Sequence, residues 1–195
     1  MGMFVNPDNS AFQVALNSEI YIDKSGLINY TNKVLNTLQG YICNSRPRRF
    51  GKSVTANMLT AYYSRGCDSE GLFADLEISK SADFKKYLNQ FDVIHLDIQW
   101  CMEPAGGADQ VVPYISEKTI AELKEYYPDA LSEDAKSLPE ALSTDQRFRQ
   151  GKSLLSLLMN GMFLFVIKPL IQRRRKTISN FLRGMFKGNR TNKVY

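Results

Sequence analysis

Apolar and polar positions fall into alternating short blocks along the first 145 residues. Phe4 to Leu16 is a polar lead-in with a turn at Asn6-Pro7-Asp8. Tyr21 to Ile28 alternates briefly and then runs into a helix to about Leu38, which Gly40 ends. Tyr41 to Asn44 is a short apolar strand. From Lys52 to about Ser64, Val54, Met58, Leu59 and Tyr62 recur at helical spacing, and Gly66-Cys67-Asp68 makes a turn. Phe84 to Leu88 predicts a short helix and Phe91 to Ile98 a buried strand. Gly106-Gly107 breaks the chain. Val111 to Tyr127 is a long amphipathic helix stopped by Pro128, and Ser132 to Leu142 a second, more acidic one. Strands alternating with helices predict an α/β fold, a parallel sheet flanked by helices.

The strand at Tyr41 leads into Ser45-Arg46-Pro47-Arg48-Arg49-Phe50-Gly51-Lys52-Ser53, with a helix following. A strand, a basic loop and Gly-Lys-Ser opening a helix is the order of a P-loop. Each residue type has a task there. Gly51 lets the backbone approach a phosphate, Lys52 brings an ammonium to the β/γ-phosphates, and Ser53 offers a hydroxyl to Mg²⁺. The helix directs its free N–H groups and positive dipole end at the anion. The pattern G-x-x-x-x-G-K-[ST] departs at Arg46, which stands where Gly belongs. The competing reading is a basic surface turn with a helix start. A second Gly-Lys-Ser, at Gly151-Lys152-Ser153, has no strand before it and reads as an ordinary turn.

With 195 residues and 44% hydrophobic content, the chain can bury the core of one α/β domain, or of a domain plus a fragment. Cys43, Cys67 and Cys101 are widely spaced, form no metal pattern and read as free thiols of a reducing compartment. His95 is the one histidine, which excludes multi-histidine metal sites and all but excludes histidine triads. Met1 to Ser10 lacks the apolar core of a signal peptide. The net charge of +5 hides a split. Residues 1–145 hold 13 Lys and Arg against 20 Asp and Glu, a net of −7; residues 146–195 hold 12 basic residues and no acid. Such a tail can mark nucleic acid or a membrane surface.

Hydrolysis at a P-loop needs a second carboxylate, at the end of an apolar strand, the Walker B motif. Val93-Ile94-His95-Leu96-Asp97 has that form at its simplest. It follows the P-loop by about one strand-helix-strand unit and has no acid after Asp97, so it reads rather as a core strand with a polar end.

Together these residues resemble the bacterial predicted AAA-ATPase-like family, whose members often carry a C-terminal nuclease-like domain of the PD-(D/E)XK type. The resemblance rests on Tyr21-Ile22-Asp23-Lys24-Ser25-Gly26-Leu27-Ile28, on Ser45 to Ser53, and on Phe73 with the strand Val93 to Ile98. It makes Arg46 the family's own form of the loop. It implies a P-loop NTPase-type domain binding ATP and Mg²⁺ in the cytoplasm. Arg46, Pro47, Arg48, Arg49, Phe50, Gly51, Lys52 and Ser53 would line the nucleotide, with Ser53 reaching Mg²⁺ through it. Arg48 or Arg49 would add charge against phosphate, unless it is a solvated loop arginine. Nucleic acid is implied only through a nuclease-like domain that this chain lacks.

The resemblance divides the chain into residues 1–143, an anomalous segment 144–179, and a resumed segment 180–195 that stops before the fold is complete. Where the family has an apolar strand ending Asp-Glu-Trp-Asp, this chain has Leu154 to Val166. With Leu158 as UUG, Asn160 as AAU and Gly161 as GGG, reading from the third base of Leu158 gives GAU GAA UGG GAU GUU, which is Asp-Glu-Trp-Asp-Val. With the leucine codons beginning UU and Ser156 as UC, the five codons before it encode apolar residues in the shifted frame. Residues 144–179 are thus read as a frameshifted Walker B region, closed by a second shift before Asn180. Two other readings stand beside this: a membrane helix over Leu154 to Ile171 with a basic flank at Arg173-Arg174-Arg175-Lys176, and a basic arm for nucleic acid or a membrane surface. The expected function is ATP binding with hydrolysis impaired for want of Walker B acids. The alternative is a non-enzymatic protein using residues 147–193.

Overall fold

The computed structural model describes residues 2–35, 37, 41–45, 47, 49–128, 138, 141–142, 154–160 and 163–167. Their elements run in the order α1 (Ser10–Leu16), α2 (Gly26–Val34), β1 (Tyr41–Ser45), α3 (Lys52–Tyr63), α4 (Glu70–Phe73), a 3₁₀ turn at Glu77–Lys80, α5 (Phe84–Tyr87), β2 (Asp92–Asp97), α6 (Ile98–Cys101), α7 (Val111–Tyr126), β3 (Leu154–Asn160) and β4 (Phe163–Ile167).

The four strands form one sheet in the order β1-β4-β3-β2. β2 and β3 are parallel, whereas β4 is antiparallel to both β3 and β1. β1, β2 and β3 therefore point the same way and β4 runs against them. This overturns the expected parallel sheet flanked by helices: two of the three pairings are antiparallel, and the described residues are mainly helical. The cause is the connection. β3 and β4 are joined across residues 161 and 162 alone. A parallel neighbour needs a crossover of a dozen or more residues, while two suffice for a hairpin.

β2 is covered on both faces, with Val93 turned to one side and Ile94 and Leu96 to the other. Val93 joins a core cluster with Phe12, Ile28, Met58, Leu59, Tyr62, Tyr63, Phe73 and Ile78. Ile94 and Leu96 face the other way, into a cluster with Val5, Ile98, Val111, Ile115 and Leu123. In α7, Val111, Ile115, Thr119, Ile120 and Leu123 are buried, one stripe at helical spacing. The free edge of β2 is closed by the chain's start: Val5 bridges Ile94 antiparallel, His95 N–H donates to Phe4 at 2.8 Å, and Asn6 N–H to Val93 at 2.7 Å. Glu122 of α7 holds this start down by accepting from the N–H groups of Met3, Phe4 and Val5 at 2.8–3.0 Å.

α1 was not expected; Phe12 is its buried residue and Leu16 packs partly buried against the first cluster. The helix expected to follow the Tyr21–Ile28 stretch and reach about Leu38 is α2, Gly26–Val34, which begins within that stretch and ends sooner. Most of the helix expected at Ser132–Leu142 lies outside the described residues; Leu138, Ala141 and Leu142 are buried in the second cluster. The apolar run for which a membrane helix was the alternative reading forms β3 and β4 in its described part, with Leu155 and Leu157 buried in the first cluster. No helix of the described residues is long and apolar enough to cross a membrane. Residues 168–195, with their basic run, lie outside them.

Candidate functional site

The loop between β1 and α3 lies at the edge of the sheet where β1, β2 and β3 end. Gly51 caps α3 with φ 71°, ψ 29°, in the left-handed region. Its carbonyl accepts from both the N–H and the hydroxyl of Thr55 at 2.9 Å, which closes the first turn of the helix. α3 is held beneath by a buried polar network. Tyr63 donates its hydroxyl to Asn32 Oδ1 at 2.7 Å, Asn32 donates to Tyr62 at 3.2 Å, and Tyr62 donates to the Phe84 carbonyl at 2.8 Å. At its far end the amide of Asn89 donates to the carbonyls of Ala61 at 3.0 Å and Ser64 at 2.8 Å. Both sets of contacts grip the last turn of α3, while its first turn is closed by the Gly51–Thr55 bonds.

Lys52 is buried to 8% exposure and its ammonium donates to the Pro47 carbonyl at 2.7 Å. The lysine thus points into the loop that precedes it rather than out to solvent. Ser53 is exposed in the first turn of α3. Pro47 and Arg49 are exposed, Arg49 with φ 68°, and Phe50 is 59% exposed. Arg46 and Arg48 lie outside the described residues. The structure therefore brings Pro47 and Lys52 into contact and leaves Arg49, Phe50 and Ser53 facing solvent.

One neighbour escaped the sequence reading. Lys24 donates its ammonium to the Phe50 carbonyl at 2.9 Å. The residues on either side of it are pinned. Asp23 accepts from the N–H groups of Ser25 and Glu77, each at 2.7 Å, and the buried hydroxyl of Ser25 accepts from Ile78 N–H at 3.1 Å. Partial burial works to raise the Asp23 carboxyl, but the Glu77 and Ser25 N–H groups outweigh it, so it sits below the usual carboxylate value. Lys24 lies in the Tyr21–Ile28 stretch that carries part of the resemblance; a spacing of 26 residues between Lys24 and Phe50 gives no sign of their contact.

Asp97 ends β2 at the same sheet edge. Its Oδ1 accepts from Gln99 N–H at 2.9 Å and Trp100 N–H at 3.4 Å, so the carboxylate caps α6. β1 and β2 are separated by β4 and β3, three strand spacings or roughly 14 Å at about 4.8 Å each. That separation and that cap match a core strand with a polar end. The ends of the other strands align more closely: Ser45 pairs with Phe163, and Phe163 with Asn160. His95, two residues before that end, is half-buried against α3, with Nδ1 2.9 Å from the Thr60 hydroxyl. Burial lowers its pKa from 6.5, against a smaller opposing effect of Asp97.

Among the described residues no group of three His, Cys, Asp or Glu side chains could hold a metal ion unaided. Cys43, Cys67 and Cys101 are free. The chain matches the family model AAA-ATPase-like, described as "Predicted AAA-ATPase", over residues 10–192. No curated protein and no solved structure matches it.

Proposed function

This chain belongs to the AAA-ATPase-like family of predicted AAA-ATPases, and on that premise we propose that it binds ATP through the loop Arg46 to Ser53. The observation that carries the proposal is Lys52. It opens α3 directly after a left-handed Gly51, and its ammonium is folded back over the loop onto Pro47. A lysine so placed exchanges a neutral carbonyl for a phosphate oxygen, the stronger partner because the bond becomes charge-assisted at both ends. The exposed Ser53 hydroxyl stands at the same helix start, where the backbone N–H groups favour an anion. Mg²⁺ would arrive with the phosphates and take Ser53 as its protein ligand, since the described residues hold no carboxylate cluster to bind it alone. Bound there, it would offset phosphate charge.

Hydrolysis in this reading is absent or very slow. Asp97 is engaged as a helix cap, and the strand nearest the loop in the parallel direction, β3, ends in Met159 and Asn160. The frameshift account belongs to the same proposal. With the codons assumed above, the shifted frame would put Asp and Glu in place of Leu158 to Asn160, the segment in which β3 ends. Sequencing the gene tests it: codons that cannot yield the acidic motif remove the account.

ATP titration of the purified chain and of Lys52→Ala tests the binding. Saturable ATP binding that is lost in Lys52→Ala is the expected result. Equal binding by both proteins, or none by either, overturns the proposal. Steady ATP turnover that disappears in Lys52→Ala keeps the site and removes the claim of impaired hydrolysis.

A further inference from the structure

We propose that Lys24 is a second phosphate-binding ammonium of this loop, presented by the Asp23-Lys24-Ser25 turn. The inference rests on the reading that the loop binds the polyphosphate of a nucleoside triphosphate.

The geometry is local and built. The Lys24 ammonium reaches Phe50 O at 2.9 Å and lies 2.8 Å from the point a Cβ on Gly51 would occupy. It therefore stands beside the residue that precedes Lys52 and starts α3. Gly51 leaves the space that the ammonium uses. The backbone that carries Lys24 is fixed from outside the loop, by Asp23 on Ser25 and Glu77 N–H and by Ser25 on Ile78 N–H. Ser25 is fully buried, so this anchor belongs to the core rather than to the surface. Lys24 itself is only half-buried.

The chemistry follows from what the ammonium touches. Its partner is a neutral, exposed loop carbonyl, one position before Gly51. Lys52 makes the same kind of bond, to Pro47 O at 2.7 Å. Two ammonium groups thus close on the loop from opposite ends, each donating to a backbone carbonyl. A polyphosphate entering at the start of α3 offers both a charged acceptor. Lys52 comes from within the loop, whereas Lys24 comes from a separate, core-anchored turn. Phosphate binding would therefore couple α2 and the 3₁₀ turn to the loop.

The test uses the full chain and calorimetric titration with Mg-ATP, inorganic tripolyphosphate and adenosine, at several salt concentrations. The proteins are wild type, Lys24→Ala, Lys52→Ala, and Lys85→Ala as a control that removes an exposed lysine from α5. Lys24→Ala is expected to weaken both polyphosphates about tenfold, the contribution of one charge-assisted hydrogen bond. It should also make their affinity less salt-dependent, because one ligand charge contact is gone. Lys85→Ala should bind as wild type. Wild-type affinity in Lys24→Ala, with binding lost in Lys52→Ala, overturns this inference alone. So does weakened binding with unchanged salt dependence, which means Lys24 only shapes the loop. Polyphosphate binding that survives Lys52→Ala overturns the P-loop reading and this inference with it.

Discussion

Lys52 donates its ammonium to the Pro47 carbonyl at 2.7 Å, so the first residue of α3 is tied to the loop that leads into it. A helical residue tied back this way fixes the loop's closure to the helix's own start. Gly51 lies between them in a left-handed conformation, with φ 71° and ψ 29°. That conformation can be tested through Gly51.

Gly51→Ala should destabilise the protein by about 1–2 kcal/mol, the cost of a Cβ in the left-handed region. The new Cβ would also stand 2.8 Å from the Lys24 ammonium, which must move. Gly51→Asn should lose less, since Asn tolerates that region better. Urea unfolding of wild type and the two variants gives the comparison. Equal midpoints for wild type and Gly51→Ala would mean that the left-handed cap is not needed.

Leu157→Ala should cost about 2–5 kcal/mol, as a buried leucine lost from a packed core does. Leu157 is 0% exposed and pairs in register with His95. A loss below about 0.5 kcal/mol, the range of ordinary surface changes, would show that β3 does not pack as described. The same measurement speaks to residues 144–179, because a segment without structural function would tolerate the change.

Arg65→Ala should cost roughly 2–3 kcal/mol although the arginine is on the surface. Its Nε lies 3.2 Å from Asp92, whose side chain is only 3% exposed at the start of β2. Asp92 also accepts from Asn6 at 3.2 Å and from the Tyr127 hydroxyl. Removing the guanidinium leaves a buried carboxylate facing these two neutral donors. Thermal or urea unfolding at neutral pH measures the loss. An effect within about 0.5 kcal/mol would place this pair among surface salt bridges of no consequence.

His95 predicts a pH dependence of known sign. Its folded pKa lies below 6.5, chiefly through burial, so the unfolded chain binds more protons as pH drops below that value. Its contribution to stability is thus fully present above pH 6.5 and is lost as pH falls through the folded pKa. As the only histidine, it has no partner of its kind to confuse the window. His95→Gln should retain a polar group facing Thr60 and flatten stability against pH just below 6.5. Identical slopes in both proteins would refute this.

Much of the site was legible because its constraints are short-range. Gly51-Lys52-Ser53 after an apolar strand demands a turn with a free φ and then a helix, and β1, Gly51 and α3 appear in those places. β2 and α7 were legible for the same reason, since a buried strand and a one-sided helix write their period into a few consecutive residues. Lys24 beside Phe50 and Glu122 beneath Met3 to Val5 were not legible. They join residues 26 and up to 119 positions apart, and no local period records such pairs.

By itself, then, the amino-acid order determined the P-loop-like element, the helix that follows it and the family to which the chain belongs. Only the tertiary structure decided the direction of the strands. An apolar run such as Leu154 to Ile167 satisfies a membrane helix, a parallel strand or a hairpin equally well in its hydrophobicity. The choice fell to backbone hydrogen bonding. With two residues between β3 and β4, the second strand can satisfy its N–H and C=O groups only by running back antiparallel, and it does so between β3 and β1.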